Sequence, residues 1–337
     1  MIEMVSNLIL GMDQVLTLSV VSGLISFFAW TFFNKNSNKL GTQLSSGAMF
    51  IVVLVILWRV FQLNLDFGLV LTVATVFAGL AWLLGLFLKS ENLISESRSY
   101  FWIILLILSI RSFAYEPYQI PSSSMEPGLQ VGDFVLVNKF AYGLKLPAVN
   151  KLITRGKDPQ RGDVAVFLPP HTLCEATPED ARPELSSLSA RESQIFLSRF
   201  LPLQKSRCTR LGKKYIKRVI GVPGDRIEIK GYEIYVNEIK LKQVLSERKG
   251  DENLYLETIG DADHMIRTLG ISEYENFVWE VPTDKYLAFG DNRDNSLDSR
   301  AWGYFSKEHL IGRGEYIWLH WEYFSKMPNF KRNKRIK

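Results

Sequence analysis

Long apolar stretches occupy the first third of the chain. Residues 15–33 and 67–88 contain nineteen and twenty-two positions without a charged side chain. A helix needs roughly 20 such residues to cross the core of a bilayer, so both stretches are predicted to span a membrane. Residues 15–33 could instead belong to a cleaved signal peptide. However, the segment before them contains Glu3 and Asp13 and no lysine or arginine, and the apolar run is longer than a signal peptide needs.

Two weaker stretches are also predicted to span. Residues 48–65 are interrupted by Arg59, and residues 100–113 are short, with Arg111 near their end. An arginine side chain can extend its charged group to the membrane surface, so neither residue excludes a span. The pattern therefore predicts four transmembrane helices within residues 1–113.

From about residue 118 onward, the pattern changes to short apolar runs separated by Gly, Pro and Asp, which is typical of β-rich domains. Gly-Asp pairs at residues 132–133, 162–163 and 224–225 indicate turns. The predicted strands are residues 133–137, 163–168, 216–222, 226–229, 233–236, 286–289 and 315–319.

The predicted fold class follows from these two patterns. N-terminal transmembrane α-helices in residues 1–113 precede a mainly β domain in residues 114–337, built from antiparallel, partly closed sheets. Residues 171–213 are predicted to form an insertion with a helix near residues 190–200. Residues 231–285 are predicted to form a smaller β subdomain.

The charges near the apolar stretches predict the orientation in the membrane. Lys35 and Lys39 lie in the segment 34–47, and Lys89 and Arg98 lie in the segment 89–99. The positive-inside rule places both segments in the cytoplasm, which puts the β-rich part outside. If the second stretch does not cross, the N-terminus moves inside and the β-rich part stays where it is.

The net charge of +5 is modest, and the last residues of the chain are the most basic part. A solvated tail is the simplest interpretation, and contact with anionic lipid or with extended polypeptide is the alternative. Nucleic acid is not a predicted partner, since this segment is predicted to lie outside the cytoplasm. The basic residues are Lys331, Arg332, Lys334, Arg335 and Lys337.

Cys174 and Cys208 are the two cysteines of the chain. They could form one disulfide in an oxidising compartment, or they could remain separate thiols. With no histidine pair nearby, they do not make a convincing zinc site.

One serine and one lysine of the β-rich part are candidates for catalysis. Ser124 lies in a proline-bracketed loop, and Lys217 lies in the apolar run 216–222. A serine nucleophile needs a base, and none of the four histidines lies in a hydrolase-type motif, so a lysine is the better candidate. It must be neutral, which requires that burial, aided by the neighbouring cation Arg218, lowers its pKa. The alternative is a linker serine and a solvent-facing lysine.

The third candidate is the polar loop 290–300, Gly-Asp-Asn-Arg-Asp-Asn-Ser-Leu-Asp-Ser-Arg. A surface loop or a calcium-binding loop would have a similar composition, but the central glycine and terminal glutamate of an EF-hand are missing. The pattern favours a packed network of Asp/Arg pairs and hydroxyls that orients a base. Neither a metal nor a cofactor is predicted.

These motifs, taken in order, resemble those of the bacterial type I signal peptidases, the Ser/Lys peptidases of the S26 family. The resemblance extends from about residue 111 to residue 303. It implies a membrane-bound serine endopeptidase that removes signal peptides from exported preproteins at Ala-x-Ala-like sites. The motifs are Ile-Pro-Ser-Ser-Ser-Met-x-Pro from Ile120, Gly132-Asp133, Arg161-Gly162-Asp163, Lys217-Arg218 with Gly221-x-Pro-Gly-Asp, and the 290–300 loop.

The resemblance also implies a role for individual residues. Ser124 would be the nucleophile and Lys217 the general base, and the Ser122 hydroxyl would form the oxyanion hole with the Ser124 backbone N–H. Ser296 would orient the Lys217 amine. The other implied roles are a supporting salt bridge between Asp298 and Arg300, space near the lysine left by Gly290, and a shallow pocket for small substrate side chains lined by Tyr118, Ile120, Met125 and Ile216.

The implied location is the bacterial cytoplasmic (inner) membrane, in several passes, with the catalytic domain on the periplasmic side. The implied partners are signal peptides of exported preproteins and membrane lipid, at a step after the secretion translocase. The chain departs from the usual family pattern in three ways: Gly128 replaces a threonine, the insertion is long, and there are more than two predicted spans.

Two other classes of protein share some of these features. A catalytically inert membrane assembly protein could keep the fold, although the presence of Ser124, Lys217 and Ser296 argues against it. A self-cleaving Ser/Lys repressor needs a cytoplasmic DNA-binding domain, and membrane spans occupy that place here.

Overall fold

The computed structural model describes residues 13–62, 67–113, 115–145, 152–209, 212–269, 277–322 and 327–336. They fall in two compact units that divide after Arg111. The first unit contains helices that are long and apolar enough to cross a membrane. Its exposed large apolar side chains, such as Leu18 and Phe87, are typical of a surface in contact with lipid. The helices are α1 (Gln14–Lys35), α2 (Lys39–Gln62), α3 (Phe67–Leu88) and α4 (Glu91–Phe113).

Two of these helices begin earlier than predicted. α2 begins at Lys39 and α4 at Glu91, about nine residues before the apolar stretches at 48 and 100. The reason is that a helix propagates through backbone hydrogen bonds, which polar side chains do not interrupt, whereas hydropathy reports only the apolar part. Lys39 and Arg98 are therefore helical residues, and the orientation in the membrane stays a prediction.

Arg59, which interrupts the second apolar stretch, has an acidic partner. Its Nη2 lies 2.6 Å from Oδ2 of Asp13, the N-cap residue of α1. Asp13 also accepts hydrogen bonds from the backbone N–H groups of Val15 and Leu16. The arginine is thus part of an ion pair between α1 and α2.

The second unit is mainly β. Its short helices are α5 (Pro178–Ala181), α6 (Ala190–Arg207) and α7 (Ser299–Trp302). Its strands are β1 (Tyr115–Gln119), β2 (Asp133–Asn138), β3 (Gly143–Lys145), β4 (Leu152–Arg155), β5 (Val164–Phe167), β6 (Tyr215–Gly221), β7 (Arg226–Lys230), β8 (Glu233–Val236), β9 (Ile239–Lys240), β10 (Lys242–Lys249), β11 (Glu252–Ile259), β12 (Ala262–Thr268), β13 (Phe277–Glu280), β14 (Lys285–Phe289), β15 (Phe305–Ser306), β16 (Leu310–His320) and β17 (Lys334–Arg335).

These strands form antiparallel sheets, as predicted. The largest has the order β1-β2-β16-β5-β6-β14-β15, with β17 paired to β16. The predicted subdomain contributes a four-stranded sheet, β13-β7-β8-β9, and a three-stranded sheet, β10-β11-β12, and its residues 270–276 lie outside the described residues. β3 and β4 form a further two-stranded sheet.

Every predicted strand is present, and the ends agree within one residue except at β16. That strand begins at Leu310, whereas the sequence predicted a start at residue 315. Gly312 and Gly314 lie inside the strand, and glycines normally indicate a break. A Cβ at Gly312 would lie 2.6 Å from the carbonyl oxygen of Asn138, so the neighbouring strand requires glycine there. The turn signals are also confirmed, since Gly132 has a φ of 88°.

The insertion is folded against the core. α6 begins with a capping box formed by Ser189 and Glu192, and the predicted helix extends to Arg207. Phe196 and Phe200 of α6 belong to the same buried cluster as Trp302. The two cysteines, whose state the sequence left open, form a disulfide between Cys174 and Cys208. Residues 210–211 of the insertion lie outside the described residues.

Part of the basic C-terminal tail is bound to the folded unit. The Arg332 guanidinium donates to the fully buried Asp133 at 2.8 and 2.9 Å and to the Gly128 carbonyl at 3.2 Å. The expectation of a solvated tail is therefore wrong for this residue. A buried carboxylate needs a cationic partner, and the tail supplies it.

Candidate active site

The loop after β1 carries the candidate nucleophile. The backbone N–H of Ile120 donates to the carbonyl of Asp133 at 2.8 Å, which attaches the start of the loop to β2. A 3₁₀ turn over Ser123–Met125 follows, in which Ser124 is 8% exposed and Met125 is fully buried. The Met125 side chain thus anchors the turn that presents the Ser124 hydroxyl.

β6 brings Lys217 to this turn. The strand lies between β5 and β14, and its lysine is only 4% exposed. The Lys217 Nζ lies 2.5 Å from the Ser124 Oγ and 3.1 Å from the carbonyl oxygen of Ile216. The predicted nucleophile and base, 93 positions apart in the chain, are therefore in hydrogen-bond contact.

Burial lowers the pKa of Lys217 to about 8. The carboxylates of Asp298 and Asp291 oppose this shift, and the Arg300 guanidinium adds to it. Arg218, the cation proposed from the sequence for this role, instead pairs with Asp291, and both of its N–O distances are 2.8 Å. The cation that helps to lower the pKa of Lys217 is thus Arg300, which is more distant in sequence than Arg218.

The predicted salt bridge between Asp298 and Arg300 is present. Arg300 Nε and Nη2 lie 2.8 and 2.7 Å from the two Asp298 carboxylate oxygens, and both side chains are buried. The backbone N–H of Gly290 also donates to Asp298, at 3.0 Å. Although burial by itself raises the pKa of Asp298, the Arg300 guanidinium holds it below its usual range. The paired charges fix the 290–300 loop beside the lysine.

Ser296 and Gly290 lie together beside the nucleophile turn. Within the described part of the chain, the Lys217 amine contacts the Ile216 carbonyl and the Ser124 hydroxyl, and the orienting role of Ser296 stays a prediction. A Cβ at Gly290 would lie 2.1 Å from the Ser296 Oγ and 2.4 Å from the Ser124 carbonyl oxygen. Gly290 therefore leaves space for the nucleophile turn and for Ser296.

Ser122 lies directly before the 3₁₀ turn in an extended conformation and is exposed. Its Oγ is 3.4 Å from the Ser124 Oγ. The Ser122 hydroxyl thus lies beside the candidate nucleophile, and its part in an oxyanion site with the Ser124 backbone N–H stays a prediction.

The four residues predicted to line the substrate pocket belong to one apolar cluster. Tyr118 and Ile216 are half-buried at its edge, whereas Ile120 and Met125 are 2% and 0% exposed. Tyr118 and Ile216 are therefore the two that remain partly accessible, and the substrate pocket stays a prediction.

Two amides that were not assigned a role from the sequence hold the nucleophile turn. Asn292 donates from its backbone N–H to the Ser124 carbonyl at 3.1 Å and from Nδ2 to the Ser123 carbonyl at 3.0 Å. Asn295 Nδ2 donates to the Ser123 hydroxyl at 3.0 Å. The polar composition of the 290–300 loop indicated a network, but the partners of these amides are distant in sequence.

A buried ion pair attaches the same loop to β11. Arg293 Nη1 lies 3.1 Å from the Glu257 Oε2, and His264 Nε2 lies 3.2 Å from Oε1. Although burial favours the neutral acid, the Arg293 guanidinium holds the pKa of Glu257 well below its ordinary value. Sequence reasoning missed this pair because a glutamate in a strand normally faces solvent.

Comparisons with known proteins identify the family of this chain. The family model described as "Signal peptidase, peptidase S26" matches residues 93–321. A signal peptidase I of Pseudomonas aeruginosa is 35% identical, with 72% of this chain and 79% of the relative covered. One of Haemophilus influenzae is 31% identical, with 81% and 93% covered. The resemblance seen in the motifs is confirmed, and the chain belongs to the signal peptidase family, peptidase S26.

Proposed function

We propose that this membrane-bound serine peptidase cleaves N-terminal signal peptides from exported preproteins at Ala-x-Ala-like sites, with Ser124 as nucleophile and Lys217 as general base. The observation that carries the proposal is the 2.5 Å distance between the Lys217 Nζ and the Ser124 Oγ, with both residues buried. A buried amine with a lowered pKa next to a hydroxyl is what a serine nucleophile requires.

The reaction proceeds in two stages. The Ser124 Oγ attacks the scissile carbonyl carbon while the neutral Lys217 amine takes the hydroxyl proton. The resulting ammonium gives this proton to the leaving amine, the C–N bond breaks, and an ester joins Ser124 to the signal peptide. Water, deprotonated by the same amine, then attacks the ester and releases the signal peptide.

Substrate selection is assigned to the apolar cluster beside the dyad. Tyr118 and Ile216 border the surface, and Ile120 and Met125 are buried in the same cluster. A shallow apolar surface accepts alanine at the −1 and −3 positions and excludes larger side chains by steric clash.

The chain is an inner-membrane protein of its family, and the residues that the structure describes include four helices long and apolar enough to span. We assign the second unit to the periplasmic side, since Lys35, Lys39, Lys89 and Arg98 favour the cytoplasm for the segments that carry them. On that side the enzyme meets membrane lipid and preproteins that have passed the secretion translocase.

The activity is expected to rise with pH through a midpoint near 8. Only the neutral Lys217 amine can accept the Ser124 proton, so protonation below its pKa of about 8 removes the base. Well below the midpoint, kcat/KM should fall about tenfold per pH unit. Cleavage rates from pH 6 to 10 provide the measurement, and a flat profile over that range contradicts a lysine base.

Replacing Ser122 with alanine is expected to lower kcat by about 10²–10³-fold without abolishing cleavage, the usual cost of one oxyanion donor. Ser198→Ala provides a matched control, because this exposed hydroxyl lies on α6 and donates to the Ile195 carbonyl at 2.8 Å. Single-turnover cleavage separates the chemical step from binding. Equal rates for Ser122→Ala and wild type would remove Ser122 from the oxyanion site.

The function itself is tested with purified full-length protein in detergent or lipid vesicles and a preprotein bearing an Ala-x-Ala site. The expected product has its new N-terminus directly after the final alanine, as read by mass spectrometry. A matched preprotein with leucine at the −1 position should remain uncut. Absence of cleavage by folded protein in suitable lipid would favour an inert membrane assembly protein, and cleavage elsewhere would reject the proposed specificity.

A further inference from the structure

Strand β12 contacts both loops of the candidate site through one residue, Arg267. Its backbone N–H donates to the Asp291 carbonyl at 2.9 Å, and its Nη2 lies 2.8 Å from Oε2 of Glu126. Glu126 follows the nucleophile Ser124 by two positions. The three-stranded sheet β10-β11-β12 is thereby connected to the nucleophile turn as well as to the 290–300 loop.

These contacts complete a clamp around the nucleophile turn. Asn292 holds the carbonyls of Ser123 and Ser124 from the 290–300 loop. On the far side of the turn, the backbone N–H of Glu126 donates to the Ser123 carbonyl at 3.0 Å, and the Glu126 side chain extends to Arg267. Ser124 is therefore held from both sides of the turn. Arg267 contacts the 290–300 loop through Asp291 and the nucleophile turn through Glu126.

The guanidinium is itself held in place. Arg267 Nη1 lies 3.7 Å from Oε1 of Glu252 on the neighbouring strand β11. The end of β12 is fixed to the same loop by a bond from the Leu269 N–H to Asp294 Oδ2 at 2.6 Å, and β11 by the buried pair of Glu257 and Arg293. The sheet is thus attached to the loop at several points and offers Glu126 a fixed partner.

We propose that Arg267 is a positioning residue, which holds Glu126 and thereby fixes the Ser124 hydroxyl against Lys217. This inference rests on the proposed function of Ser124 and Lys217, and it assigns the β10-β11-β12 sheet the role of a brace for the nucleophile. Arg267 touches no reacting atom. Both partners are 22% exposed, so the pair adds little to stability, but a small displacement of a nucleophile lowers the rate strongly.

The test compares kcat, KM and Tm of the full-length wild type with Glu126→Gln, Arg267→Gln and the charge-swapped double variant Glu126→Arg/Arg267→Glu. Each single variant is expected to lower kcat about tenfold and to change KM less than about twofold, because alignment rather than binding is lost. The swapped pair restores the attraction between positions 126 and 267 and should recover part of kcat, because the carboxylate placed at position 267 also faces Glu252. Arg226→Gln on β7, which removes an ion pair with Glu228, is the matched control with wild-type kcat.

A second readout separates positioning from a change in the base. Burial and the charges of Asp298, Asp291 and Arg300 have the largest effects on the pKa of Lys217. The pH midpoint of cleavage should therefore stay at the wild-type value in both single variants while kcat falls. Loss of kcat together with a lowered Tm, without recovery in the swapped pair, would indicate a structural role and overturn the inference.

The two proposals fail in distinguishable ways. An active wild type with unchanged kcat in Glu126→Gln and Arg267→Gln overturns the role of Arg267 alone. A folded wild type that does not cleave, like Ser124→Ala, overturns the proposed function and this inference with it.

Discussion

Lys217→Met is expected to lower kcat/KM by about 10⁴-fold or more while the protein remains folded. Methionine occupies a similar volume among the same apolar neighbours but has no amine to accept the Ser124 proton. Removing an ionisable group that has no salt-bridge partner among the described residues, at a position only 4% exposed, should leave Tm unchanged or raise it. The rate therefore falls without a loss of stability, whereas a general disruption of the fold would lower both.

Ser124→Ala should give a loss of similar size, and the double variant should be no slower than either single variant. Residues that act as one unit in a reaction show this non-additivity, because removing either already removes the step they perform together. Single-turnover cleavage of an Ala-x-Ala preprotein is the measurement. If the two losses add up in the double variant, Ser124 and Lys217 do not act together in one step.

Lys230→Met is the matched control for the lysine substitution. Lys230 lies at the end of β7, is exposed, and contacts Glu228 at 3.2 Å. Its loss removes a positive charge from the same unit without touching Ser124, so wild-type activity is expected. Substantial cleavage by Lys217→Met, with this control intact, would identify another group as the base.

Gly290→Ala is expected to lower kcat by about 100-fold and to cost about 1–3 kcal/mol of stability. The new Cβ would lie 2.4 Å from the Ser124 carbonyl oxygen and 2.1 Å from the Ser296 Oγ, so the nucleophile turn must move. The Gly290 N–H also donates to Asp298, which prevents the glycine backbone from moving away freely. Cleavage rates and thermal unfolding of the same preparation measure both effects.

Gly128→Ala provides the control for this substitution. A Cβ at Gly128 would lie 3.5 Å from Asp291 Oδ2 and 3.6 Å from the Met125 carbonyl oxygen, which are ordinary contact distances. Near-wild-type cleavage is expected, because the added methyl group displaces no neighbour. Equal losses in the two variants would mean that neither glycine acts through the contacts described.

Removing only the Ser296 side chain should not rescue Gly290→Ala. In the variant Gly290→Ala/Ser296→Gly, the clash with the hydroxyl is gone, but the clash with the Ser124 carbonyl remains. A slow double variant therefore supports displacement of the nucleophile as the cause, whereas full recovery would assign the effect to Ser296.

The sequence by itself determined the class of this protein and the identity of its motifs. Apolar length predicted the helices of the first unit, since crossing a bilayer imposes a minimum length. Alternating runs and Gly-Asp turns predicted the strands, because these patterns arise from local backbone geometry. The order of the motifs indicated the family, and Ser124 and Lys217 followed from the chemistry that a serine nucleophile requires.

Only the tertiary structure decided how those residues meet. Burial of Lys217 depends on strands on both sides of β6, and the cation that lowers its pKa is Arg300 rather than the adjacent Arg218. Arg332, in the basic tail, proved to be a partner of the buried Asp133. Each of these outcomes depends on groups distant in sequence, because desolvation and hydrogen-bond geometry are set by the whole packed environment and not by neighbours along the chain.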